Sequence, residues 1–270
     1  KGVSTSVDVT QKLSSEFCPV SEEERKEMEN VPYQEAIGSL LRPDISFAVG
    51  MLSKFNKNPG KVHWNAVKRV FRYIKSTLHC KMEFSQNDSN IIGYSDADWA
   101  NDLDKRRSTT GYSFILQSGC IAWSSKCQQT VALSTTEAEY MSISSACQEV
   151  VWLKSLYNEI SLTNQETMML FCDNKSAIDL AHNSMYHGRS KHIDIRHHFI
   201  RDLVESGCVK IKYVSSKENV ADIFTKALPA GPFQECRIKL NIKNFNSSGW
   251  MFLYRFKYYV KIKTFFQNHG

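Results

Sequence analysis

The 270 residues contain no Cys-x-x-Cys pair, no long uncharged apolar run and no signal-peptide pattern. The eight cysteines (18, 80, 120, 127, 147, 172, 208 and 236) are scattered, mostly in apolar surroundings. That distribution argues against a zinc site and a secreted disulfide framework, and points to a reducing compartment. Lacking an apolar stretch of about 18 residues, the chain is expected to place no helix across a membrane. Lacking a leader pattern, it is expected inside the cell, in cytoplasm or nucleus. A start at Lys1 rather than Met suits a fragment or a processed product. A general excess of charge is also missing. The net +6 lies in the last forty residues, where seven Lys/Arg face one acid, Glu235. The body is neutral, so basic clusters must be judged one by one.

Periodicity divides the chain. Residues 1–31 are polar, acid-rich near Ser21–Glu29, and read as a linker or lead-in. Residues 32–85 read as a small helical segment. After the Pro59-Gly60 turn, Trp64, Val67, Val70, Phe71, Ile74 and Leu78 recur at helical spacing. The opposite face carries Lys61, Lys68, Arg69, Arg72 and Lys75. Such a face is either simply solvated or a rail for phosphates, which Lys and Arg neutralise without reading sequence.

From 91 to 229 strands and helices alternate. Strands are predicted at Ile91–Ser95, Gly111–Gln117, Cys120–Trp123, Val131–Leu133, Met168–Cys172 and Val209–Val214. Helices are predicted at Thr135–Tyr157, Lys175–His182, Ile193–Ser206 and Val220–Leu228. Tightly looped strands followed by strand–helix alternation predict an α/β fold, a mixed five-stranded sheet with helices on its faces. Residues 230–270 read as a basic aromatic tail, either unstructured or read-through past an ancestral end. From Trp250 to Lys263 its apolar residues alternate with a period of two, a pattern that could also stack on bases.

Carboxylates recur where apolar runs end. Asp96 follows Ile91–Ser95, and Asp98 shares its face but reads as a turn cap. Ser134 and Glu137 have capping-box spacing, so Glu137 has a structural task. Glu139 shares a helical face with Ile143, Ala146, Val150, Leu153 and Tyr157, the side that packs on the sheet. A carboxylate buried there without a partner would cost several kcal/mol, a cost a metal ion removes. Asp173 ends one strand and Asp222 opens the last helix. Each could be a cap or a dipole partner. Four together suit divalent cations, since Mg²⁺ takes hard oxygen ligands and paired ions assist phosphodiester displacement.

The stretches YSDADWA (Tyr94–Ala100), RSTTGY (Arg107–Tyr112), WSSK (Trp123–Lys126), ALSTTEAEY (Ala132–Tyr140), CDNKS (Cys172–Ser176), KHID (Lys191–Asp194) and ADIFTKAL (Ala221–Leu228) occur in order. With them, residues 91–229 resemble the ribonuclease H domain of a Ty1/copia-type retrotransposon Pol polyprotein. Val31–Leu41, Arg42–Lys54 and Asn58–Arg72 resemble the segment joining it to the reverse transcriptase domain upstream. Three features depart from the family: several apolar residues are missing between Leu41 and Arg42, the reverse transcriptase is absent, and the tail after Ile242 has no counterpart. The loop Ser215–Asn219 holds no His, unlike bacterial ribonucleases H.

The resemblance implies a ribonuclease H-like fold and a Mg²⁺-dependent endonuclease for the RNA strand of RNA–DNA hybrids. Asp96, Glu139, Asp173 and Asp222 would be catalytic and hold two Mg²⁺, with Mn²⁺ as a possible substitute. On this reading Asp96, Glu139 and Asp173 hold one ion, which activates water. Asp96 and Asp222 hold the other, which stabilises the leaving 3′ oxygen. Candidate nucleic-acid contacts are Arg106, Arg107, Ser108, Thr109, Asn174, Lys175, Lys68 and Arg72. The histidines 182, 187, 192, 197 and 198 follow no zinc spacing and read as helix-surface residues, with His192 or His198 a candidate hybrid contact. The alternatives are an inactive nucleic-acid-binding remnant of the polyprotein, or a transposase or integrase acting on duplex DNA.

Overall fold

The computed structural model describes residues 2–85, 90–160, 165–182 and 191–244, without the side chains of 191–195. The described residues form two compact units, one of those up to 83 together with 227–244, the other of those from 84 to 226.

The first unit begins with α1 (Glu22–Glu29), α2 (Tyr33–Gly38), α3 (Ser46–Ser53), α4 (Lys61–Ser76) and β1 (Cys80–Met82). Ser21 and Glu24 close a reciprocal capping box that starts α1. The lead-in is not a loose linker. Leu13 and Ser14 are buried, and the buried His63 of α4 accepts a hydrogen bond from Gly60 N through Nδ1. With Nδ1 accepting, Nε2 carries the proton and donates to Ser14 O at 3.1 Å. His63 also stacks on Phe55, with ring centroids 3.9 Å apart. The join after Leu41 is equally well packed. Arg42 donates to both oxygens of the buried Asp44, at 2.6 and 2.8 Å, and Tyr73 Oη donates to Asp44 as well. The buried carboxylate thus has charge-assisted partners. On α4, Ala66, Val67, Val70, Phe71 and Ile74 are buried, while Lys61, Lys68, Arg72 and Lys75 are exposed.

The second unit follows as β2 (Ile92–Asp98), β3 (Thr109–Leu116), β4 (Gly119–Cys127), α5 (Thr135–Ile160), β5 (Met168–Cys172), α6 (Lys175–His182), α7 (Lys191–Glu205) and β6 (Val209–Tyr213). Its sheet runs β4-β3-β2-β5-β6. β2 pairs antiparallel with β3 and parallel with β5, β3 pairs antiparallel with β4, and β5 pairs parallel with β6. This is the mixed five-stranded sheet flanked by helices that the sequence predicts. Ile143, Ala146, Cys147, Val150 and Leu153 of α5 join Phe114, Met168, Leu170 and Ile211 of the sheet in one buried cluster. Each such large apolar side chain contributes roughly 1.5–3 kcal/mol by leaving water.

Two local expectations fail. Val131–Leu133 is not a strand: Val131 and Leu133 are exposed, and the Leu133 N–H is spent on the Glu137 side chain. The helix predicted at Val220–Leu228 is a 3-10 turn, Val220–Phe224. Asn219 caps it, accepting from Ala221 N at 3.2 Å.

The chain returns to the first unit with α8 (Ala230–Lys239) and β7 (Ile242–Asn244), which pairs antiparallel with β1. Residues 230–244 are therefore structured, contrary to their reading as an unstructured tail. Phe233, Cys236, Leu240 and Ile242 are buried, and Phe233 meets Tyr73 edge-on at 5.5 Å. The alternating stretch from Trp250 to Lys263 lies outside the described residues, as does His187.

Candidate active site

The central strand β2 ends at Asp96–Asp98, and the elements around it are tied to it by side-chain hydrogen bonds. Ser142 Oγ of α5 donates to Asp96 O at 2.6 Å and lies 3.2 Å from Gly111 O. Gln128 Nε2 donates to Thr110 Oγ1 and to Ala138 O, fastening the start of α5 to the end of the hairpin. Asn219 Nδ2 donates to Ser95 O at 3.0 Å, holding the 3-10 turn against β2. Gly111 allows the turn's close approach. A Cβ there would lie 2.6 Å from Thr225 Cγ2 and 2.8 Å from Phe224 Cβ. These ties converge because each is a buried polar group that must find a partner.

The four carboxylates singled out in the sequence come together. Ligand oxygens of Asp96, Asp173 and Asp222 lie within 4.8 Å of one another, and so do atoms of Glu139, Cys172 and Asp173. Asp173 is common to both groups, whereas the sequence reading made Asp96 the shared ligand. Asp96 and Glu139 are almost fully buried, at 2% and 6% exposure. Glu137 is placed differently: it accepts from Leu133 N at 2.8 Å while its own N–H donates to Ser134 Oγ at 3.1 Å. It is a helix cap.

Crowding of negative charge dominates the electrostatics. Burial, then the charges of Asp96 and Asp173, push Glu139 up to about 9. Burial and Asp96 push Asp222 up to about 7, against the pull of Lys226. Asp96 is raised by burial, with Lys226 and the Thr225 hydroxyl opposing. Asp98 is pushed up to about 6, chiefly by burial.

Three neighbours went unnoticed in the sequence. Lys226 Nζ lies 3.0 Å from Asp222 Oδ1 and 3.6 Å from Asp96 Oδ2. Its signal was available, because Lys226 follows Asp222 by four residues, the spacing of helical ion pairs. Thr225 Oγ1 donates to Asp96 Oδ2. Cys172 Sγ lies 3.9 Å from Glu139 Oε2, and its thiol is pushed up by burial and by Glu139. A protonated thiol is a poor ligand for a hard cation. The donor set is thus four carboxylates, which fit Mg²⁺ or Mn²⁺. With all four acids ionised, as metal ligands must be, one ammonium cannot offset their charge, and divalent ions would supply the rest.

The candidate nucleic-acid contacts divide. Arg106 is exposed and Arg107 half-buried in the loop before β3. Ser108 and Thr109 are buried, and Ser108 Oγ accepts from Ala100 N at 3.1 Å. They shape the loop instead of presenting a surface. Asn174 caps α6, accepting from Ala177 N at 2.9 Å. Lys175 is exposed, with Nζ 4.8 Å from the Tyr213 ring centre. Lys68 and Arg72 are exposed on α4 of the first unit. Contrary to the surface reading of the histidines, His197 is buried beside Tyr140, with ring centroids 5.4 Å apart. His198 is exposed, with Nδ1 2.9 Å from Arg201 Nη2. The side chain of His192 lies outside the described residues.

A mixed five-stranded sheet with helices on its faces and acids gathered at the end of its central strand defines a ribonuclease H-like α/β domain. The chain belongs to the Pol polyproteins of Ty1/copia-type retrotransposons. It is similar to the retrovirus-related Pol polyprotein from transposon TNT 1-94 of Nicotiana tabacum, 46% identical over 243 residues. The match takes in 88% of this chain and 18% of the polyprotein, so the chain spans less than a fifth of that relative's length. It is also 52% identical over 133 residues to secreted RxLR effector protein 161 of Plasmopara viticola, covering 47% of this chain and 94% of that protein. The polyprotein likeness runs over far more of the chain, and the family rests on it. Among solved structures, ribonuclease H1 from Halobacterium salinarum NRC-1 is 13% identical with a TM-score of 0.38, over 51% of this chain and 95% of its own. No family model matches the chain. Among the described residues, no helix is long and apolar enough to cross a membrane.

Proposed function

We propose that residues 84–226 form a divalent-metal-dependent endoribonuclease that cuts the RNA strand of RNA–DNA hybrids during retrotransposon reverse transcription. The observation that carries this reading is the meeting of Asp96, Asp173 and Asp222, with Glu139 joined to them through Asp173. Their sequence separation makes chance capping a poor account of all four. When bound, two Mg²⁺ or Mn²⁺ ions would supply an activated water and a stabilised leaving oxygen.

The chain's own residues do the rest. Asp96, Glu139, Asp173 and Asp222 are the ligands and therefore the catalytic residues. Ser142 and Asn219 position them by fastening α5 and the 3-10 turn to β2, and Gln128 by fastening α5 to β3. Arg106 and Lys175 are exposed and able to meet phosphate, with the half-buried Arg107 beside Arg106. Asn174 contributes by capping α6, at whose start Lys175 sits. On the first unit, Lys68, Arg72 and Lys75 make α4 a basic face of the kind that binds phosphates without sequence preference. Discrimination between RNA and DNA would rest on the 2′-hydroxyl. The reverse transcriptase expected upstream in the polyprotein would deliver the hybrid, inside the cell, in a cytoplasmic particle or the nucleus.

The packed join at Arg42 and the ordered residues 230–244 favour this reading over a collapsed remnant. The test is incubation of the purified chain with hybrid, duplex DNA and single-stranded RNA in Mg²⁺. Cleavage confined to the hybrid, with 5′-phosphate and 3′-hydroxyl ends and lost in Asp96→Asn, is expected. A well-folded parent that cuts nothing would point to the remnant. Cutting of duplex DNA would point to a transposase-like enzyme.

A further inference from the structure

Lys226 carries an inference that rests on the proposed nuclease and goes beyond it. The side chain enters between two of the four acids, 3.0 Å from Asp222 Oδ1 and 3.6 Å from Asp96 Oδ2. The same Asp96 Oδ2 accepts from Thr225 Oγ1. The oxygens facing the gap between Asp96 and Asp222 are therefore already engaged by a cation of the protein's own.

A hard divalent ion held by Asp96 and Asp222 would need their oxygens as its own direct ligands. An ammonium left at its present distances would stand within a few ångströms of that ion. Repulsion between like charges at such range, in a partly desolvated site, is substantial. The two cations exclude each other. Lys226 is free to leave, since its side chain is 36% exposed and its four-carbon stem is flexible.

We propose that Lys226 is a built-in counter-ion that fills the cation position between Asp96 and Asp222 and competes with one of the two divalent ions for it. In the metal-free protein it offsets part of the repulsion among the carboxylates and keeps Asp96 and Asp222 in register. On loading it must swing away, so it lowers the affinity of that position while leaving the position beside Glu139 and Asp173 untouched. Lys226 is a positioning residue for the metal-free site, not a ligand.

The test is calorimetric titration of Mn²⁺ into the full chain, without nucleic acid, at pH 8. Lys226→Met keeps the length of the stem and removes the charge. It is expected to bind one of two Mn²⁺ equivalents at least tenfold more tightly than the parent, and to melt lower than the parent in chelator. Lys226→Arg, which keeps the charge, should retain the weak site. Should Lys226→Met fail to fold in chelator, Lys226→Gln purified in Mn²⁺ and then dialysed serves the same comparison. Unchanged or weaker Mn²⁺ binding in both neutral variants would overturn the inference while leaving the nuclease standing. No Mn²⁺ binding by parent or variants would remove both.

Discussion

Ser142 and Asp96 are joined by a short hydrogen bond, 2.6 Å from the serine hydroxyl to the aspartate's backbone oxygen. Ser142 lies three residues after Glu139, on the same side of α5. The bond therefore sets the distance between the helix that carries one acid and the strand that carries another. Ser142→Ala is expected to cost about 1–3 kcal/mol, the penalty for a buried acceptor left short of a partner. Hybrid cleavage should fall more than stability does, because the two acids lose their spacing. Urea unfolding and initial cleavage rates, measured together, check both.

Glu139→Gln should separate stability from activity. Glutamine can still accept the hydrogen bond that Ala97 N–H gives the carboxylate. It brings no charge into the cluster. In chelator at pH 9.5 the variant should melt several degrees above the parent. At pH 5, where Glu139 is already protonated in the folded parent, the two should melt alike. Cleavage should be lost throughout. A variant less stable than the parent at pH 9.5 would contradict the crowding of charge described here.

The same acids set the pH dependence of the metal-free protein. Folded pKa values of about 9 for Glu139, about 7 for Asp222 and about 6 for Asp98 lie above those of the free side chains. The folded chain thus holds protons that the unfolded chain has released. The stability this confers is present in full below about pH 4 and lost as pH rises through about 6, 7 and 9, in steps belonging to the coupled group. Melting in EDTA should fall from pH 5 to pH 9. Added Mg²⁺ should blunt the fall, because ions replace the protons, and should release protons measurable by calorimetry. A melting temperature that rises over this range in EDTA would refute the assignment.

Lys68 and Arg72 test the phosphate face of α4. Replacing either with Ala should leave folding intact, since both are exposed. Hybrid affinity should fall alike for every sequence, and the salt dependence should flatten by about one unit of slope per residue. Unaltered slopes would make the face a merely solvated one.

Much of the sheet was legible in the sequence because short apolar runs ended at turns or polar stretches. Met168–Cys172 matches its predicted bounds, and β2, β3, β4 and β6 differ from theirs by a few residues. Val131–Leu133 misled because a short apolar run cannot reveal that its backbone is spent on a helix cap. The pairing of β1 with β7 joins strands of three residues each from distant parts of the chain, too short for periodicity to register. At the candidate site, the helical face of Glu139 and the capping box of Glu137 distinguished the two glutamates, and the structure buries the first and caps α5 with the second. Only its spacing from Asp222 marks Lys226 out in the sequence, and Ser108 reads there as a nucleic-acid contact because a polar residue in a polar loop gives no sign that it will be buried.

The account's central claim is that Asp96, Glu139, Asp173 and Asp222 hold a pair of divalent ions. Anomalous diffraction from crystals of the chain soaked in Mn²⁺ with a hybrid tests it most directly, using Asp173→Asn as the control. Two peaks about 3.5–4 Å apart among the four carboxylates, lost or depleted in the control, are predicted. Density for Mn²⁺ elsewhere on the chain, with none between these acids, would contradict it.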